Sequence, residues 1–179
     1  MTVSTEAICA MCNKPFLSQK WAQTCTECTE RTYRGKSVYL CGPIDGVTPE
    51  WATEWRRHVK ESLPEWEVLD PTHDKDLTAP GVNDHVYTPE EIVTADLAMV
   101  ARADVVLVDW RKYMTLVGMM LHRYEPLRVG SICEMWEAHR TGKQVISFGD
   151  LRQGYWKRRA TDRHFDTLEQ AIEYLRGEA

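Results

Sequence analysis

Asp104-Val105-Val106-Leu107-Val108-Asp109, followed after a connection by Arg128-Val129-Gly130-Ser131-Ile132-Cys133-Glu134, decides the fold. The first stretch is a continuous apolar run between two carboxylates, as expected of a strand buried on both faces of a parallel sheet. The second is a small-residue turn opening a helix. In open α/β sheets ligands settle beyond the carboxyl ends of the strands, where helix N-termini present unpaired N–H groups. Glu134 is therefore delivered where a ligand can meet it. The plain alternative is a glutamate that only complements the dipole of its helix.

Working outward, Ser37-Val38-Tyr39-Leu40-Cys41 reads as a short strand stopped by Gly42-Pro43, and a helix follows from near Pro49 to before Pro64. Trp66-Glu67-Val68-Leu69 reads as a second strand closed by Asp70-Pro71. The breaker-rich stretch 72–87 is expected to be a substrate-side loop; its His73, Asp74, Asp76, Asp84 and His85 are too irregularly spaced to predict a metal. Thr88-Pro89-Glu90-Glu91 combines an N-cap, a proline at the first helical position and early acids, so a helix should run to about Arg102. After the buried strand, Val129 to Arg140 is expected to be helical, Thr141-Gly142-Lys143 to stop it, and Gln144 to Phe148 to form the next strand. A last helix is expected from Leu168 to Arg176, primed by Asp166 or Thr167. Strands alternating with helices imply one Rossmann-like, flavodoxin-like parallel sheet flanked by helices, over residues 35–179.

The 179 residues suffice for one such domain and a small appendage, and a 43% hydrophobic, 27% charged composition argues against disorder and against membrane insertion. The net charge of -5 gives no general footprint for nucleic acid, and the basic Trp156-Lys157-Arg158-Arg159 reads as solvated surface. Met1 to Ala10 shows no secretory pattern, so the expected compartment is the cytoplasm and the expected state of the cysteines is reduced.

Residues 1–34 form a separate problem. Cys9-Ala-Met-Cys12 and Cys25-Thr-Glu-Cys28 are two C-x2-C knuckles, a spacing that lets four thiolates converge on one zinc ion; two disulfides are the alternative. With few apolar residues beyond Ile8, Phe16, Leu17 and Trp21, the segment needs metal to supply its folding energy, so a zinc-ribbon-like four-cysteine module with a structural role is expected. Glu6, Glu27 and Glu30 against Lys14, Lys20 and Arg31 leave no basic face for nucleic acid.

The order of these motifs resembles the nucleoside 2-deoxyribosyltransferase family and its relatives that hydrolyse deoxynucleoside 5'-monophosphates. The matching parts are Val38 to Ile44, the Asp96 helix leading into Ala103 to Val108, and Gly130-Ser131-Ile132-Cys133-Glu134 followed by Gly142 to Ile146. The resemblance implies that Glu134 is the nucleophile, that Asp96 helps position it or protonates the leaving base, and that Tyr39 hydrogen-bonds the nucleophilic carboxylate. It implies a substrate-side turn at Gly42, Pro43, Ile44 and Asp45, where Gly42 lets backbone approach the substrate, and substrate contacts from Gly130 and Ser131. It implies no catalytic cofactor, and oligomers whose neighbours complete the pocket. Residue chemistry agrees: cleaving an N-glycosidic bond develops oxocarbenium character that a close carboxylate stabilises and captures, while a second carboxyl, its pKa raised by burial beside the first, protonates the departing base.

Two departures stand out. Six residues before Glu134 the similar transferases usually carry an Asp and the monophosphate hydrolases a Ser, whereas this chain has Arg128. A guanidinium at a helix N-terminus suits a phosphate dianion, which favours a nucleotide substrate; pairing of Arg128 with Glu125 or another acid is the alternative. The connection 110–127 is longer than usual and rich in apolar residues, Met114, Leu116, Val117, Met119, Met120 and Leu121; a subunit interface is the expected use, a short core helix or a cover for a planar base the alternatives. The expected activity is hydrolytic release of a base through a glycosyl-Glu134 intermediate. The alternatives are sugar transfer to a second base, cleavage of NAD, and a non-enzymatic module in which the zinc head binds nucleic acid or a partner.

Overall fold

The computed structural model describes residues 5–8, 15–18, 36–44, 47–73, 77, 88–111, 129–150 and 155–177. The chain divides into two compact units, Met1–Gly35 and Lys36–Ala179. Within the first, β1 (Thr5–Ile8) and β2 (Pro15–Ser18) pair antiparallel, with Thr5 opposite Ser18 and Ile8 opposite Pro15. Cys9, Cys12, Cys25 and Cys28 lie outside the described residues.

The second unit is a five-stranded parallel sheet. Its elements are β3 (Ser37–Cys41), α1 (Pro49–Ser62), β4 (Glu67–Leu69), α2 (Pro89–Arg102), β5 (Val105–Trp110), α3 (Val129–Arg140), β6 (Gln144–Gly149), α4 (Tyr155–Ala160), β7 (Arg163–Phe165) and α5 (Leu168–Gly177). Spatial order is β4-β3-β5-β6-β7, so the chain leaves β3 toward one edge and returns to β5 on its other side. The carboxyl ends of β3 and β5 thus flank a topological switch point, where ligands bind in such sheets.

Every residue of β3 and β5 is buried, because helices cover both faces. Period-two alternation divides the core. Val38, Leu40, Val105 and Leu107 pack with Trp55, Val59 and Leu63 of α1 and Leu168, Ile172 and Leu175 of α5. Tyr39, Cys41, Val106 and Val108 pack on the opposite face with Val100 of α2 and Met135 and Ala138 of α3. At the far end of the sheet Ser37 donates from both its N–H and its hydroxyl to Asp104 Oδ2, at 2.9 and 2.8 Å, tying the starts of β3 and β5 together.

The expected caps are present. Thr48 caps α1, and Thr88 and Glu91 form a reciprocal capping box at the start of α2. In the second unit two elements went unread in the sequence, β7 and the short α4, as did the β1–β2 pair of the first unit. β7 is an edge strand without an apolar run, exposed at Arg163 and half-buried at His164 and Phe165; α4 is the basic stretch, which is helical and includes the buried Ala160. Among the described residues no helix is long and apolar enough to cross a membrane.

Gly149 closes β6 at φ +97, and a Cβ there would lie 2.5 Å from the Arg111 amide nitrogen and 2.8 Å from the Trp110 carbonyl carbon. Both conformation and space demand glycine. Gly149→Ala is expected to cost about 2–3 kcal/mol, read as a fall in the chemical-denaturation midpoint; a midpoint within error of the parent would contradict this backbone reading.

Candidate active site

The alternation along β3 sends Tyr39 and Cys41 toward α2 and α3, the two helices that carry Asp96 and Glu134. The Cys41 thiol donates to the Ser131 carbonyl at 3.5 Å, in the first turn of α3, and also lies within hydrogen-bond reach of Glu134, one turn further on. Tyr39 places its hydroxyl beside the same carboxylate, although this buried oxygen completes no well-aligned hydrogen bond. Asp96 faces both: its charge raises Glu134 and Tyr39 alike.

Burial pushes the half-buried Glu134 carboxyl above the usual glutamate range. The Asp96 charge adds to the push, while the Cys41 thiol, the nearby Tyr39 hydroxyl and the charge of Arg56 oppose it without reversing it. Burial, and then the Glu134 charge, drive the Tyr39 phenol and the Cys41 thiol far up, so both remain protonated donors at neutral pH. The result is a carboxylate held between two neutral donors and a second carboxyl group.

Gly42 follows immediately. A Cβ at Gly42 would come within 3.0 Å of the Trp55 ring and 3.1 Å of Asp109 Cβ, so a side chain fits there only if these neighbours give by a few tenths of an ångström. Pro43 is buried and Ile44 half-buried. Gly130 is exposed, and a Cβ there would meet Glu134 Oε1 only at 3.9 Å, an ordinary contact, so packing does not demand glycine at this position. Ser131 is buried and contributes its carbonyl. Asp45 and Arg128 lie outside the described residues, as does most of the stretch 72–87. Among the described residues no group of three or more His, Cys, Asp or Glu side chains is arranged to hold a metal ion.

Arg56 is the residue that sequence reasoning missed. It lies in α1 on the stripe Ala52, Trp55, Val59, is 1% exposed, and stacks on the Trp55 ring at 4.7 Å. Its guanidinium donates to the Gly42 carbonyl at 2.9 Å and to the Ala52 carbonyl, with Nε 3.6 Å from Asp70 Oδ1. Burial lowers its pKa, and Asp70 and then Asp109 resist that. A basic residue inside an otherwise apolar helical stripe was the available signal. Asp109, at the end of β5, is fully buried and holds Arg111 through its main-chain N–H at 2.8 Å and its guanidinium at 2.9 Å.

No family model matches the chain, and no curated protein matches it. Solved structures do. A conserved protein from Enterococcus faecalis V583 superposes with a TM-score of 0.60 at 12% identity, over 81% of this chain and 99% of that one. A 2-deoxyribosyltransferase from Bacillus psychrosaccharolyticus gives 0.56 at 16%, over 77% and 91%. A 2-desoxiribosyltransferase from Leishmania mexicana gives 0.52 at 15%, over 78% and 96%. The fold is shared with 2-deoxyribosyltransferases. At such identities the likeness speaks for architecture, and activity must be argued from the side chains.

Because burial raises Glu134 in the folded state, ionising it there costs stability. Below the unfolded-state value the carboxyl is protonated folded and unfolded, and no cost arises; the cost develops as pH rises through the unfolded value and is complete above the folded one. Glu134→Gln is therefore expected to melt above the parent at neutral pH, with the gap closing under acid. Equal melting temperatures at neutral pH would contradict the electrostatic account.

Proposed function

We propose that the α/β body cleaves the N-glycosidic bond of a (2'-deoxy)nucleoside 5'-monophosphate or nucleoside through a glycosyl-Glu134 intermediate, which water then hydrolyses. The observation that carries this reading is the convergence of Glu134 and Asp96, from two helices, on the face of β3 that presents Tyr39 and Cys41. The shared architecture with 2-deoxyribosyltransferases supports it.

The chemistry follows from the arrangement. The charge of Asp96 makes Glu134 harder to ionise, and a proton on either carboxyl eases ionisation of the other. With that proton on Asp96, ionised Glu134 forms a bond to the anomeric carbon as the C–N bond breaks, and the electron pair leaves with the base, which takes the Asp96 proton. Water then attacks the anomeric carbon, Asp96 accepts its proton, and the Glu134 ester is released. Tyr39 and Cys41, as neutral donors, orient the nucleophile and stabilise it again when it departs.

The test is incubation with deoxynucleosides and their 5'-monophosphates, with and without an acceptor base, following free base by chromatography. Base release is expected, faster from monophosphates if Arg128 meets phosphate, and Glu134→Ala is expected to lose at least about a thousandfold in rate, ~4 kcal/mol of barrier. Transfer to the acceptor would make the enzyme a transferase; no release from any substrate would reject the reading.

For the N-terminal unit we propose one structural zinc bound by Cys9, Cys12, Cys25 and Cys28, since paired C-x2-C thiolates match the donor set and spacing of such sites. Metal analysis of the purified chain should find about one zinc per molecule, lost on substituting Cys9 and Cys12 by Ser. Retention of the metal in that double variant would refute the ligand set.

A further inference from the structure

The described side chains include one buried cation whose role the reaction above does not state. We propose that Arg56 is a positioning residue of this site: its guanidinium fixes the turn that leaves β3 and supplies the positive charge against which the Glu134 carboxylate works. For its consequence on rate, this rests on Glu134 being the nucleophile.

Geometry carries the first half. One guanidinium joins the exit of β3 through the Gly42 carbonyl, the body of α1 through Ala52, and the exit of β4 through Asp70. Gly42 is the residue after Cys41, whose thiol reaches Ser131 and Glu134, so any drift of the turn is felt by the donors of the carboxylate. The space around Gly42, bounded by Trp55, Asp109 and Arg56 itself, leaves the turn little other room.

Charge carries the second half. A buried guanidinium is costly to desolvate, and replacing such a group by an apolar side chain of similar volume is often neutral or stabilising. Tying strands does not require it. At the opposite end of β3 a serine and an aspartate tie that strand to β5 through their own hydrogen bonds. What Arg56 adds is a positive charge that reaches Glu134, Cys41 and Tyr39. The groups facing Glu134 are Tyr39 and Cys41 from β3, Asp96 from α2 and Arg56 from α1; those facing Arg56 are Asp70, Asp109, Cys41 and Tyr39. Among the described groups facing Glu134, Arg56 alone is cationic.

The experiment follows the Glu134 side-chain carboxyl by 13C NMR in full-length protein labelled at glutamate, the resonance being assigned by its loss in E134Q. It is read without substrate, so it stands apart from whether base release is found. In Arg56→Met the titration midpoint is expected to rise. In Arg56→Lys, whose ammonium cannot span Gly42, Ala52 and Asp70 together, a smaller rise is expected. Where base release is measurable, its acid limb should move up with the midpoint. An unshifted midpoint in folded Arg56→Met overturns the proposal; if that variant does not fold, an unshifted midpoint in Arg56→Lys does so. Uniform loss of rate at all pH values with an unshifted midpoint would assign Arg56 a purely structural role and equally overturn it.

Discussion

Strand β3 has no side open to solvent, and the structure depends on that constraint. A strand covered on both faces must offer apolar or satisfied side chains in both directions, so each polar atom it carries needs a reason. Val38 and Leu40 meet the requirement on one face by packing alone. On the other, Tyr39 and Cys41 bring a hydroxyl and a thiol into a buried layer, and both lie beside a group that rewards a donor there, a carboxylate. The end of β3 is thus the point at which core packing becomes a site.

Opposed terms meet at Glu134. Burial and Asp96 favour its protonated form, whereas Tyr39, Cys41 and Arg56 favour the ion, and protonation wins by a margin that leaves the carboxyl above its ordinary range. A carboxyl left with no donor or cation beside it in the interior would be pushed further up. Two neutral donors and a cation set back behind the β3 turn give a middle course. The balance of these groups leaves the carboxyl raised but not unopposed.

Much of the sheet was legible because its signals are local. Runs such as Val105 to Val108 belong to doubly covered strands, and Thr88-Pro89-Glu90-Glu91 spells a helix start whatever lies around it. The edge strand Arg163–Phe165 was not legible, since a three-residue edge strand is defined by its pairing with Ile146 to Phe148 rather than by its own composition. The same division runs through the site. Glu134, Asp96 and Tyr39 were singled out by motif order, and the fold brings them together. Arg56 escaped because its place on the apolar stripe Ala52, Trp55, Val59 says that it turns inward but not what it meets; that is settled by the carbonyl of Gly42 and the carboxylate of Asp70, distant along the chain.

The topology explains why so few residues suffice. Helices α2 and α3 belong to successive crossovers, one entering β5 and the other leaving it, and both lie on the same face of the sheet. Their side chains therefore meet over the ends of β3 and β5 without any loop having to bring them there. Helix α1 covers the opposite face, so its arginine can reach the site only around the end of β3, where the absence of a side chain at Gly42 lets Trp55, Asp109 and the guanidinium close in. The small residue after β3 and the charged residue inside α1 act together at the turn, Arg56 donating to the Gly42 carbonyl while Gly42 leaves room for Trp55 and Asp109.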